Sequence, residues 1–87
     1  MTLNELRSAL QEILEIEESA VVDWPKAEEL SRRTRGRLGR QPAPDYTDEF
    51  VFVFLDDTDL RREDKDYARI QRERLRNWLA GSEIISR

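Results

Sequence analysis

Phe50-Val51-Phe52-Val53-Phe54-Leu55 is the longest apolar run of the chain and holds all three of its phenylalanines. Carboxylates bracket it, with Asp45, Asp48 and Glu49 before it and Asp56, Asp57 and Asp59 after it. Alternating phenylalanine and valine suit a pleated strand, since aromatic and β-branched side chains pack well there. Both faces of such a strand are apolar, so both must be covered. A short buried helix beginning at Thr47 is the competing reading. Thr47 would cap it, and Asp48 and Glu49 would suit its first turn. The strand is the preferred expectation, and it poses a question of partnership.

A strand with bare edges is an aggregation liability unless it is paired. Within the chain, Ser19-Ala20-Val21-Val22 is the one candidate strand to pair with it. The simpler closure is a two-fold dimer in which residues 50–55 pair antiparallel with their own copy. Phe50, Val51, Phe52, Val53 and Phe54 then form the interface, with Trp24 as an added anchor.

Around this run the helical signals are clearer. Thr2 and Glu5 have the spacing of a capping box. Leu3, Leu6, Leu10, Ile13 and Leu14 then recur at helical spacing, which predicts a helix over 3–17 with Arg7, Glu12, Glu15 and Glu17 on its other faces or at the edge of the stripe. Glu12, Glu15, Glu17 and Glu18 crowd its C-terminal end against the helix dipole and predict a weak last turn. Asp23-Trp24-Pro25 marks a second start, with aspartate as N-cap and proline in the first turn. Its apolar face is thin (Trp24, Ala27, Leu30, Thr34, Leu38), and Gly36 or Gly39 is expected to end it, which predicts a helix over 24–37. Pro42 and Pro44 make 40–45 a rigid turn or linker. Leu60, Tyr67, Ile70, Leu75, Trp78 and Leu79 predict a last helix over 59–80, stopped by Gly81, with 82–87 a frayed tail. The fold class expected is mainly α, or α+β with a strand at 50–55: about three helices packed around one buried apolar segment.

Eighty-seven residues suffice for one small domain. With 38% hydrophobic and 39% charged residues its core must be small. There is no cysteine to staple it, so a partner chain is the natural substitute. Met1-Thr2-Leu3-Asn4-Glu5-Leu6 lacks the basic and apolar regions of a signal peptide, and no apolar run approaches the ~20 residues that span a bilayer. A soluble, cytoplasmic chain is the expectation. The net charge of −4 hides alternating blocks: −6 over 1–30, +5 over 31–44, −6 over 45–59 and +3 over 60–87. Blocks of this kind favour pairing within or between chains over a uniform field.

Chemistry-bearing patterns are few. Histidine and cysteine are both absent, which removes the commonest general base and the strongest nucleophile. The three glycines form no phosphate loop. Asp56, Asp57, Asp59, Glu63 and Asp64 are acid-rich, but helix capping accounts for them without an ion. Arg32, Arg33, Arg35, Arg37 and Arg40 form the densest basic segment and are the candidate phosphate contacts. No aromatic side chain interleaves them, and the chain is acidic overall, so nucleic acid is the weaker reading. Arg61, Arg62, Arg69, Arg72, Arg74 and Arg76 read as an ordinary solvated helix face. The expectation is a small non-enzymatic interaction or regulatory module, homodimeric, with no cofactor, no metal and no membrane partner. The alternative is a nucleic-acid-associated regulator gripping phosphates through 32–40.

Overall fold

The computed structural model describes residues 2–40 and 49–85, with side chains through residue 81. Five helices follow one another among them: α1 (Leu3–Glu17), α2 (Trp24–Arg40), α3 (Glu49–Asp56), α4 (Thr58–Glu63) and α5 (Lys65–Ile85). The mainly helical class stands, with five helices where about three were expected.

The first two helices start where their caps put them. The Thr2 hydroxyl accepts from the Glu5 backbone N–H at 3.1 Å, and the Glu5 carboxylate accepts from the Thr2 N–H at 3.0 Å. Two otherwise orphaned donors are thereby satisfied. At α2 the Asp23 side chain accepts from the Lys26 N–H at 3.2 Å, ahead of Trp24 and Pro25 in the first turn. The glycines do not end helices as expected. α2 runs through Gly36 and Gly39 to Arg40, and α5 runs through Gly81 to Ile85. A glycine stop requires the left-handed conformation, and no described glycine adopts a positive φ.

The strand expected at 50–55 is a helix. In α3, Phe50, Val51, Phe54 and Leu55 fall on one side and are buried. Phe52 is half-buried and Val53 is exposed. The reason is backbone satisfaction. A lone strand would bury unpaired N–H and C=O groups, whereas a helix pairs its own. Residues 19–22 supply no second strand: they form a turn and an open connection, and Val21 is 88% exposed. Thr47, the cap expected for a helical reading, lies outside the described residues, as does the 41–45 portion of the turn.

The expected 59–80 helix is broken at Asp64. Its backbone is extended there (φ −120°, ψ 104°), and its N–H closes α4 on the Leu60 carbonyl. The Asp64 side chain then caps α5 by accepting from the Tyr67 N–H at 3.0 Å. One residue thus ends one helix and starts the next. The break lets α4 turn its Arg61 face inward, towards the side of α5 that carries Gln71 and Arg72.

The core is a single cluster. Leu6, Leu10, Ile13 and Leu14 of α1 meet Leu38 of α2, the four buried residues of α3, and Leu75 and Leu79 of α5. α2 joins through small side chains, Ala27, Ser31 and Thr34, which leave room for close approach to its neighbours.

The N-terminal capping box also carries a pH signature. Its backbone hydrogen bond from Thr2, then its bond from Arg37 at 2.8 Å, lower the Glu5 pKa from an ordinary 4.5 to about 2. The folded state therefore holds the ionised form more tightly than the unfolded chain does. That contribution is complete above about pH 4.5 and is lost as pH falls towards 2. In Glu5→Gln it should be missing at neutral pH, so wild type should melt higher there. The two melting curves should converge over that acid window, as thermal unfolding against pH will read.

Candidate functional site

Arg61 is the largest fully buried side chain among the described residues, at 1% exposure. A guanidinium carries five N–H donors in a fixed fork, and here all five are used. Nε donates to Glu17 Oε1 at 2.9 Å, with Oε2 at 3.2 Å. One Nη2 hydrogen goes to Glu17 Oε2 at 2.9 Å and the other to Thr58 Oγ1 at 3.2 Å. Nη1 donates to the Phe54 carbonyl at 2.5 Å and to Gln71 Oε1 at 2.9 Å. The guanidinium also lies 3.8 Å from the Phe54 ring centroid, a cation–π contact out of water.

Each partner has its own reason to be there. Glu17 is the last residue of α1, where the helix dipole disfavours an anion. Arg61 and Arg72 both bind it, the latter at 3.3 Å. Glu18, the next residue, pairs with Arg76. The expected weakness of this helix end is thus offset by three arginines from α4 and α5. Phe54 lies in the last turn of α3, so its carbonyl is one that the helix cannot satisfy itself. Arg61 caps it and places a cation at the negative end of α3.

The cluster continues outward through Gln71. Its amide donates to the Tyr67 hydroxyl at 2.9 Å and to Asp57 at 3.3 Å, and that hydroxyl donates to Asp57. The hydrogen bond to Asp57, then burial, push the Tyr67 pKa above its ordinary value, so the phenol stays protonated at neutral pH. Glu17 and Asp57 balance Arg61 and Arg72, leaving the group formally neutral. The donors of Arg61 and Gln71 are matched by acceptors within the group. Chemically it is a clamp joining α1, α3, α4 and α5.

The arginines of the basic segment meet carboxylates. Arg32 faces Glu28 at 3.7 Å, Arg33 faces Glu29 at 2.7 Å, Arg35 faces Asp56 at 3.3 Å and Arg37 faces Glu5 at 2.8 Å. Arg35 also lies over the Phe52 ring at 4.6 Å. Arg40 is exposed with no carboxylate partner among the described residues. In the acid-rich turn, Asp56, Asp57 and Asp64 bind Arg35, Tyr67 with Gln71, and the α5 backbone. No three carboxylates converge on a cation site among the described residues. No described helix is long and apolar enough to cross a membrane.

Of the expected interface set, Phe50, Val51 and Phe54 are buried in the chain's own core, while Phe52 and Trp24 are half-buried. Val53 stands out at 44% exposure. Ile70, assigned by its spacing to the apolar side of the last helix, is instead 48% exposed. Arg61, read as part of a solvated face, is the buried centre. One signal for that centre was present. Glu17 continues the stripe of Leu6, Leu10, Ile13 and Leu14, and a carboxylate at a core-facing position calls for a buried cation.

No family model, curated protein or solved structure matches this chain.

Lysine at position 61 would keep the charge but lose the fork, with three donors for five acceptor contacts. Arg61→Lys should therefore cost about 2 kcal/mol or more of folding stability, in the range for leaving buried hydrogen-bond partners unmet. Urea unfolding followed by circular dichroism measures it, and a loss below about 1 kcal/mol would mean that the fork is not required.

Proposed function

We propose that this chain is a small, non-enzymatic protein–protein interaction module that works as a homodimer, using the outward edge shared by α3 and α5. The observation that carries the reading is the contrast between the inside and that edge. The polar groups clustered around Arg61 are turned inward and bind one another. Val53 and Ile70 are left about half-exposed.

Val53 and Ile70 belong to helices that pack on each other, α3 and α5. Arg74 lies 4.3 Å over the Phe50 ring, while Arg61 bridges Phe54 to Gln71. α3 and α5 therefore run antiparallel. Val53, one turn on from Phe50, stands at the level of residues 70–74 of α5. Trp78, half-buried, closes the same edge one turn beyond Arg74. Exposed aliphatic side chains on two packed helices of a highly charged chain support a contact surface there, beside the exposed Val21 and Leu60 of the α1–α2 connection and α4.

The small core supports the same reading. A chain of this length buries a limited fraction of its surface, and association adds burial that it cannot make alone. The strand-to-strand closure is gone, so association rests on helix faces. Light scattering over a dilution series tests the proposal. The expected mass at high concentration is twice the 10.4 kDa of one chain. A mass of one chain up to millimolar concentration would contradict it.

A further inference from the structure

We infer that two copies associate through α5 packed antiparallel on α5, with the two-fold axis passing beside Ile70. The proposal rests on the homodimer reading above and adds its geometry. Asp66, Ile70 and Arg74 are spaced four residues apart on one stripe of α5, and all three are exposed. Neither Asp66 nor Arg74 has a carboxylate or guanidinium partner among the described residues. They cannot serve each other, because eight helical residues separate them by about 12 Å along the axis.

The stripe is self-complementary. In an antiparallel pair of helices related by a two-fold axis at residue 70, position 70 − n faces position 70 + n of the partner. Asp66 then faces Arg74 of the other copy, and the reverse pair forms by symmetry. Ile70 meets its own copy between them. Rows of residues spaced by four are also the ridges that pack most often between helices. Parallel packing would instead set Asp66 against Asp66 and Arg74 against Arg74, so the charges fix the direction.

The rest of the edge is compatible. Arg74 is already held 4.3 Å over the Phe50 ring, which orders its side chain. Trp78, half-buried one turn beyond Arg74, extends the apolar contact along α5. Glu73 lies on the same side of the stripe as Asp66, so the two Asp66–Arg74 pairs must outweigh its repulsion from the partner's Asp66. The contact is short, and a concentration-dependent dimer is its natural outcome.

Sedimentation or light scattering of the full chain and its charge variants tests this. Asp66→Arg and Arg74→Asp should each weaken dimerisation at least about tenfold, because each sets like charges opposite one another twice. The double variant D66R/R74D restores opposite charges and should return to within about threefold of wild type. Ile70→Glu should weaken the dimer by placing two carboxylates at the axis. All three sites are exposed, so unchanged helical circular dichroism should accompany every variant. A dimer unmoved by the single reversals, or a double variant no tighter than the singles, would overturn the inference while leaving a homodimer. A chain monomeric throughout would overturn the functional reading itself.

Discussion

The buried guanidinium of Arg61 constrains the whole arrangement. Removing a cation from water costs several kcal/mol even after relaxation, and the cost is offset only when geometry and partners are right. Here the partners come from four helices: Glu17 of α1, Phe54 of α3, Thr58 of α4 and Gln71 of α5. A shift of any one by half a turn would leave a buried donor unmet, at about 1–3 kcal/mol for each. An apolar core tolerates sliding far better, because hydrophobic contact has no direction. The leucines and phenylalanines supply most of the driving force. The arginine specifies which packing among similar ones is adopted.

That division of labour explains features that otherwise look wrong. An acid-laden C-terminal end of α1 is poor helix design in isolation. It becomes useful when Glu17 is an internal ligand and Arg72 and Arg76 hold the outer side. A six-residue α4 would not persist alone, since short helices are unstable in water. It is anchored by Arg61 and stopped by Asp64. The same helix ends explain the charge blocks. The basic block of α2 meets carboxylates of its own first half, of α1 and of α3.

Much of the fold was legible in the sequence because it is written in local terms. The capping box and leucine spacing of α1 and the Asp23 cap of α2 are decided within one or two turns. Three things were not legible. Residues 50–55 have strand-like side chains, but their fate depends on whether a ladder partner exists. Propensity yields to that tertiary fact. The end of α2 was misplaced because a glycine permits a stop without imposing one. Arg61 was hidden because exposed and buried arginines look alike in a charged helix. The face of α4 that turns inward depends on the break at Asp64, and that aspartate reads equally well as a surface residue. The candidate contact surface was legible only in part, in Val53. The spacing of Ile70 points to the core, and it takes the fold to show that it faces outward.

The central claim is that Arg61 and Glu17 act as one unit, and a double-mutant cycle tests it most directly. Arg61→Met, Glu17→Gln and the double variant would be compared with wild type by urea unfolding, with an osmolyte keeping weak variants folded. Each single change leaves a buried group without its counterpart and should cost about 3–5 kcal/mol. The double change should cost less than the sum by about 1.5 kcal/mol or more, since a pair removed together leaves no stranded charge. Additive losses, within about 0.5 kcal/mol, would mean that the two residues stabilise the fold independently and would contradict the account.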